Sequence, residues 1–300
     1  MIIEVPTSED FLGAAINSLN LAWSIALGLH LELENAQVAD WDADGEVTEE
    51  YWQKSQASLN NALTLVQQGF ELALKSRIAA VNPYLLLSRD IRDWPASDKK
   101  DIPFADFRTI DAADLVKLHN SVSQDQLDAS FIELFDRVRR RRNQIIHLGK
   151  DKRAIGVVEL LEMILTCVER LAPAIRWMRQ RVDYKNDDYL TVAYSNDHVT
   201  DILCSEAESV INLLGASSLE RFFGFNKKAR RYFCPGCAAN VEMDRFWTAH
   251  LKPNEPTGTT LFCIVCDEIS DVSRKKCQAK GCKSNVISDE DVCLSCWERQ

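Results

Sequence analysis

Four close cysteine pairs crowd the last 67 residues and hold eight of the chain's ten cysteines: Cys234-Pro-Gly-Cys237, Cys263-Ile-Val-Cys266, Cys277-x4-Cys282 and Cys293-Leu-Ser-Cys296. A Cys-x2-Cys loop is short enough to bring two thiolates to one tetrahedral ion, and two such loops close a structural site with no position open to substrate. Sequential grouping gives one zinc to Cys234, Cys237, Cys263 and Cys266, as in a zinc ribbon. It gives a second zinc to Cys277, Cys282, Cys293 and Cys296. A cross-braced grouping of alternating pairs is the alternative. Eight thiolates complete two sites, so His250 is not needed as a ligand. Cys167 and Cys204 stand alone in apolar helical stretches, where a thiol acts as a small buried hydrophobe. Residues 226–300 are therefore expected to form a small β-rich module around two structural zinc ions, because the segment is too short for a sufficient core of its own.

The N-terminus shows no basic region followed by a long apolar run, and no window is read as reaching the roughly eighteen apolar residues of a membrane span. A cytoplasmic protein with no membrane partner is the expectation, and in that compartment paired cysteines read as metal ligands rather than disulfides. The net charge of -10 argues against nucleic acid coating the whole surface, so any such contact belongs to local patches. Residues 226–300 carry twelve Lys/Arg against ten Asp/Glu, which is +2 and leaves -12 for residues 1–225. The basic linker Lys227, Lys228, Arg230 and Arg231 runs into Tyr232 and Phe233, a mixture of cations and rings found in single-strand binders. A nucleic-acid or protein-binding module and a plain folding clip both remain open for this tail.

Residues 1–225 read as a helical bundle. Apolar residues recur at three- and four-residue steps over Glu9–Leu33, over Thr48–Val81 and over 154–181, the last with a kink at Pro173. Shorter helices follow Asp111 up to Val122, cover Val199–Leu214 and occupy Ser217–Gly224. A further helix is expected to start at the capping-box spacing Ser123-Gln-Asp-Gln126 and stop at Gly149. Its stripe is Leu127, Phe131, Leu134, Val138 and Ile145. At about 100° per residue, Arg142 lies beside that stripe while Asn143 and His147 face away from it.

This last helix carries Arg139, Arg140, Arg141, Arg142, Asn143 and His147. Guanidinium groups hold phosphate through several fixed donors, and an imidazole exchanges a proton near neutral pH. The spacing Arg-x4-His is loose and recurs as Arg245 to His250, so spacing alone decides little.

An all-α domain whose late core helix bears Arg142-Asn143-x3-His147 resembles the HEPN ribonuclease family, whose signature is Arg, four to six residues, then His, often with Asn after the Arg. The resemblance spans about residues 10–180. It includes the helix Leu65–Ile78 with Glu71 and Lys75, and the segment Thr109-Ile-Asp-Ala-Ala-Asp-Leu. It implies a helical bundle that dimerises so that two motifs form one metal-independent site cleaving RNA by 2′-hydroxyl attack and leaving a 2′,3′-cyclic phosphate. By that resemblance His147 moves the proton, Arg142 stabilises the phosphorane and Asn143 orients groups, while Arg139, Arg140 and Arg141 contact RNA. Arg140 and Arg141 also satisfy the family spacing; Arg142 is preferred because Asn143 follows it. A role in prokaryotic defence or toxin–antitoxin growth control, with an antitoxin or defence partner, is the biological setting the resemblance implies. The alternative is a noncatalytic adaptor whose bundle dimerises and whose zinc tail binds nucleic acid or protein.

Overall fold

A computed structural model describes residues 1–36, 42, 44–88, 90, 92, 94–95, 98–148, 153–187, 196–238 and 246–300. Gly149 and Arg245 lie outside these residues. The chain is mainly helical, with a small β region at its C-terminal end, and forms two compact units, Met1–Pro173 and Ala174–Gln300.

In the first unit, helix α1 (Ser8–Asn35) packs along α2 (Glu46–Ala79). Thr7 and Asp10 close a capping box: Thr7 Oγ1 accepts from the Asp10 N–H at 3.1 Å and Asp10 Oδ2 accepts from the Thr7 N–H at 2.8 Å. Asp42 does the same work at the start of α2, accepting from the backbone of Val47 and Thr48. The two helices approach closely at Gly69, where an added Cβ would sit 2.5 Å from Leu19 Cδ2. The α1 stretch is long and apolar enough, by length and composition, to pass as a membrane span, and half of that window is buried. The expectation that no such window exists is corrected: Phe11 to Leu29 is free of Asp, Glu, Lys and Arg, and the first unit's core needs that apolar surface.

Helices α3 (Ala112–Val122), α4 (Ala129–Leu148) and α5 (Val157–Leu171) complete this unit. Helix α4 begins later than its expected box. Asp128 Oδ1 accepts from the Phe131 N–H at 2.9 Å, and Asn120 Oδ1 takes the Leu127 N–H at 2.9 Å, so a carboxylate and an amide outcompete Ser123 as caps. Phe70 of α2 stacks on Phe131 and tilts against Phe135 of α4 with ring centroids 5.7 and 6.3 Å apart. Each such buried ring contributes about 1.5–3 kcal/mol. The segment before α3 is pinned too: β1 (Ile2–Ile3) pairs in parallel with β2 (Ile102–Pro103).

The single kinked helix expected over 154–181 is two helices. Ala172 leaves helical geometry at φ -139°, as a residue preceding proline does, and α6 begins only at Trp177. The second unit contains α6 (Trp177–Asn186), α7 (Asn196–Leu213) and α8 (Ala216–Phe223), the last closed by Gly224 at φ +61°. Arg181 and Glu206 tie α6 to α7 through a buried two-point ion pair at 3.0 and 2.6 Å.

The same unit holds an antiparallel sheet in chain order: β3 (Arg231–Tyr232), β4 (Ala249–Leu251), β5 (Thr260–Cys263), β6 (Ile269–Ser273) and β7 (Ile287–Ser288). His250 of β4 is buried between Phe225 and Phe262. Its Nε2 accepts from the Asn226 N–H at 3.2 Å, which leaves Nδ1 as the donor to Leu251 O at 2.7 Å. Both ring nitrogens are thus used within the fold, in keeping with the expectation that His250 is not a metal ligand.

Candidate functional site

Helix α4 divides its four arginines by rotation. Phe131, Leu134, Phe135 and Val138 form the buried stripe, and one further turn brings Arg141 onto the same inward side, where it is only 8% exposed. Its Nη1 donates to Glu159 Oε1 at 2.9 Å and its Nη2 to Arg153 O at 3.0 Å. Arg141 thereby straps α4 to α5. Arg139 is half-buried near Asp136 at 3.5 Å, and Arg140 is exposed.

Arg142, one turn beyond Val138, continues the line of the stripe; it is half-buried and donates through Nη1 to Asn143 Oδ1 at 3.2 Å. His147 lies one helical turn beyond Asn143, exposed, with no hydrogen-bond partner among the described residues. The structure therefore places Arg142, Asn143 and His147 along one end of α4. Glu71 and Lys75 are not beside them within the chain. Phe70 faces Phe131 and Phe135, and Phe131 precedes His147 by roughly 24 Å of helix at 1.5 Å per residue. Glu71 instead accepts a short hydrogen bond from the Gln67 amide.

In the basic linker, Lys227 Nζ donates to the Asn212 and Leu214 carbonyls at 3.0 and 2.7 Å, capping the C-terminal end of α7. Lys228 and Arg230 are exposed. Arg230 lies over the Tyr232 ring at 5.4 Å and reaches Ser295 Oγ at 3.4 Å, while Arg231 is half-buried in β3.

The eight paired cysteines form two tetrads, Cys234–Cys237–Cys263–Cys266 and Cys277–Cys282–Cys293–Cys296, with all Sγ atoms of each tetrad within 4.8 Å of one another. This is the sequential grouping. A tetrahedral zinc with Zn–S bonds of about 2.3 Å has S···S edges of about 3.8 Å. The observed geometry matches it: Cys234 to Cys266 is 3.7 Å, Cys237 to Cys263 is 3.9 Å, Cys277 to Cys296 is 3.7 Å and Cys282 to Cys293 is 3.8 Å. These are far beyond the ~2.05 Å of a disulfide.

Backbone donors also point at sulfur, with Val265 N–H to Cys263 Sγ at 3.4 Å and Ala279 N–H to Cys277 Sγ at 3.3 Å. Burial pushes the Cys263 thiol up, but hydrogen bonds from Cys234, Cys237, Cys266 and Thr248 outweigh it and hold the group well below its ordinary value. Cys204 of α7 and the neighbouring thiols hold Cys237 up. At the second tetrad burial raises Cys293, and the Ser295 and Cys296 amides with the Cys296 and Cys277 side chains bring it down to about 7. Four thiols at one point cannot all ionise by themselves; a divalent cation lets every one become a thiolate. The donor set fits zinc at both sites, where the ion would crosslink segments and present no open position for chemistry.

Sequence reasoning overlooked one group. Lys275 and Lys276, Lys280 and Lys283 surround Cys277 and Cys282, and all four are exposed. The signal was present as five cations in Arg274–Lys283 with no acidic residue between Asp271 and Asp289, but a charge tally over 75 residues averages it away. Comparison of the chain with family models, with curated proteins and with solved structures finds no match.

Proposed function

We propose that this protein is an RNA-cleaving enzyme whose α4 end, carrying Arg142, Asn143 and His147, acts on a phosphodiester without a catalytic metal. The observation that carries the reading is the arrangement of those three side chains: a guanidinium bonded to an amide, with an exposed imidazole one turn further on. Attack by a ribose 2′-hydroxyl needs a base at that hydroxyl, an acid at the departing 5′-oxygen and donors for the charge on phosphorus. One α4 end supplies one imidazole and one adjacent guanidinium. A second copy of the chain, apposed through its own α4 end, supplies the other imidazole, so the working unit is a homodimer. The zinc sites take no part in the chemistry, since four thiolates close each of them.

The test uses full-length zinc-loaded protein, a labelled single-stranded RNA and no added magnesium. Cleavage leaving 2′,3′-cyclic phosphate ends, lowered about 10²–10⁴-fold in His147→Ala, is the expected result. Arg142→Ala lowers it as well. Equal cleavage by wild type and both variants sinks the reading, as does a monomer in sedimentation under conditions where cleavage proceeds.

The distance of Glu71 and Lys75 from His147 favours a second reading, a noncatalytic adaptor whose bundle dimerises and whose zinc tail binds nucleic acid or protein. In that case RNA is retained by wild type without strand scission, and His147→Ala leaves retention intact.

A further inference from the structure

The two zinc tetrads differ in what surrounds them, and the second has surroundings that the chemistry of α4 does not use. Its first loop is a closed turn: the Cys277 N–H donates to Ser284 O at 2.9 Å and the Cys282 N–H to Ala279 O at 3.2 Å. Closing the loop brings Lys275, Lys276 and Lys283 to its base and Lys280 to its tip beside Gly281, whose φ is +88° and whose Cα faces open space. None of these lysines is in an ion pair among the described residues. A zinc ion held by four thiolates carries about -2 in all, fewer charges than the cations of Arg274–Lys283, so neutralising the ion's own ligands does not account for them.

The other loop of the same tetrad ends on an aromatic side chain. Trp297, directly after Cys296, has φ +61° and donates its N–H to Cys293 O at 2.7 Å; Asp267, directly after Cys266, makes the same turn at φ +58° with its N–H on Cys263 O at 3.0 Å, so the left-handed backbone belongs to the metal-binding turn and the indole is what this tetrad adds. Glycine would satisfy that turn as well. The Trp297 ring packs edge-on against Phe233 at 5.7 Å, and Phe233 in turn lies 5.3 Å from Trp247, which is 39% exposed. A half-exposed indole thus stands at one loop of the tetrad, and at the other stand lysines with no ion pair among the described residues. Neither is required to hold the ion.

We propose that the second four-cysteine site is a binding knuckle for single-stranded nucleic acid: Lys275, Lys276, Lys280 and Lys283 engage the phosphodiester backbone, and Trp297 with Trp247 presents ring faces to bases. Flexible ammonium groups without planar recognition partners read charge rather than sequence, so binding is sequence-tolerant and salt-sensitive. The knuckle shares the RNA-directed reading proposed above but not its chemistry, so it delivers strands whether or not His147 cleaves them.

The experiment measures fluorescence anisotropy of a labelled single-stranded RNA of about 20 nucleotides, with matched single-stranded and duplex DNA. The protein is full-length, zinc-loaded and carries His147→Ala, so that cleavage cannot interfere and its absence does not bear on the result. Removing four phosphate contacts by K275A/K276A/K280A/K283A lowers the slope of log K against log salt by about 3 and weakens binding at least tenfold at low salt. The four Lys→Arg substitutions restore it. Trp297→Gly keeps the left-handed turn and both zinc ions and weakens single-strand binding roughly tenfold. Unchanged binding in both the lysine and Trp297 variants overturns the proposal, as does transfer of the loss to Lys228→Ala/Arg230→Ala. Tighter binding to vesicles containing about 30% phosphatidylserine than to RNA assigns the patch to a membrane surface and likewise overturns it. So does the lack of any anisotropy change at about 50 mM salt.

Discussion

The two tetrads have the same ligands and opposite surroundings. At the first, Cys234, Cys237 and Cys263 are buried, Thr248 Oγ1 lies 3.5 Å from Cys263 Sγ, and Cys263 itself ends β5, the middle strand of the five. At the second, Cys282 and Cys296 are half-exposed and the buried cluster is little more than Cys277, Ile287 and Cys293. One ion would stand inside a folded unit and join its parts; the other would stand under a surface turn and hold that turn in shape. Equal coordination chemistry therefore has unequal consequences, because the contribution of a crosslink depends on how much structure lies on each side of it.

The largest effect expected follows from that difference. Structural zinc contributes on the order of 10–16 kcal/mol in small modules, comparable to the whole stability of a domain. Cys263→Ser removes a ligand from the centre of the sheet, so the β4 and β5 amides lose hydrogen-exchange protection and the second unit ceases to melt cooperatively. Cys282→Ser removes one zinc, loosens residues 274–300 and leaves β4 and β5 protected. Competition with a chromophoric chelator sharpens the comparison: zinc leaves wild type in two phases, and the faster phase is missing in Cys282→Ser. Loss of β4 and β5 protection in both variants, or release in one phase, removes the distinction.

A contrast of the same kind runs through the arginines of α4. Arg141 is enclosed and bonded to Glu159 and to the Arg153 carbonyl, whereas Arg140, its immediate neighbour, is exposed. Glu159 is half-buried, so removing its cation leaves a carboxylate that water still reaches, and Arg141→Ala destabilises the first unit by about 1–2 kcal/mol through the two lost charge-assisted hydrogen bonds. Arg140→Ala changes stability by less than about 0.5 kcal/mol. Urea titration of each variant measures both, and equal midpoints would show that the strap carries no stability.

These contrasts also explain what could be read in advance. The tetrads were legible because a Cys-x2-Cys loop encodes its chemistry locally, and α1 and α2 were legible because Trp23, Leu63, Val66 and Phe70 repeat at helical spacing. The start of α4 was not, because Asp128 offers a cap of the same spacing as Ser123, and what favours the later start is Asn120, which holds the Leu127 N–H from seven residues away. The role of Arg141 was hidden for a similar reason: its acceptor, Glu159, is eighteen residues away on another helix. A helical wheel of α4 turns Arg141 inward and Arg140 outward, but it does not name the carboxylate that the inward one meets.

The smallest effect expected tests how far the environment of the first tetrad extends. His250 is held neutral: burial pushes its pKa below the ordinary value near 6.5, more than the Leu251 carbonyl raises it. A histidine with a lowered folded pKa contributes stability that is complete above about pH 6.5 and is lost as pH falls toward the folded value, because the unfolded chain binds the proton first. Protonation also turns Nε2 into a second donor facing the Asn226 N–H, so the contact with that amide becomes a clash of donors. Thiolates titrate in the same acid range, so the informative quantity is a difference. Between about pH 7.5 and 5.5 the second unit loses more stability in wild type than in His250→Gln, whose amide does not titrate. Identical pH slopes would mean that the imidazole charges without disturbing its bonds to Asn226 and Leu251, and that β4 yields to acid through the tetrad alone.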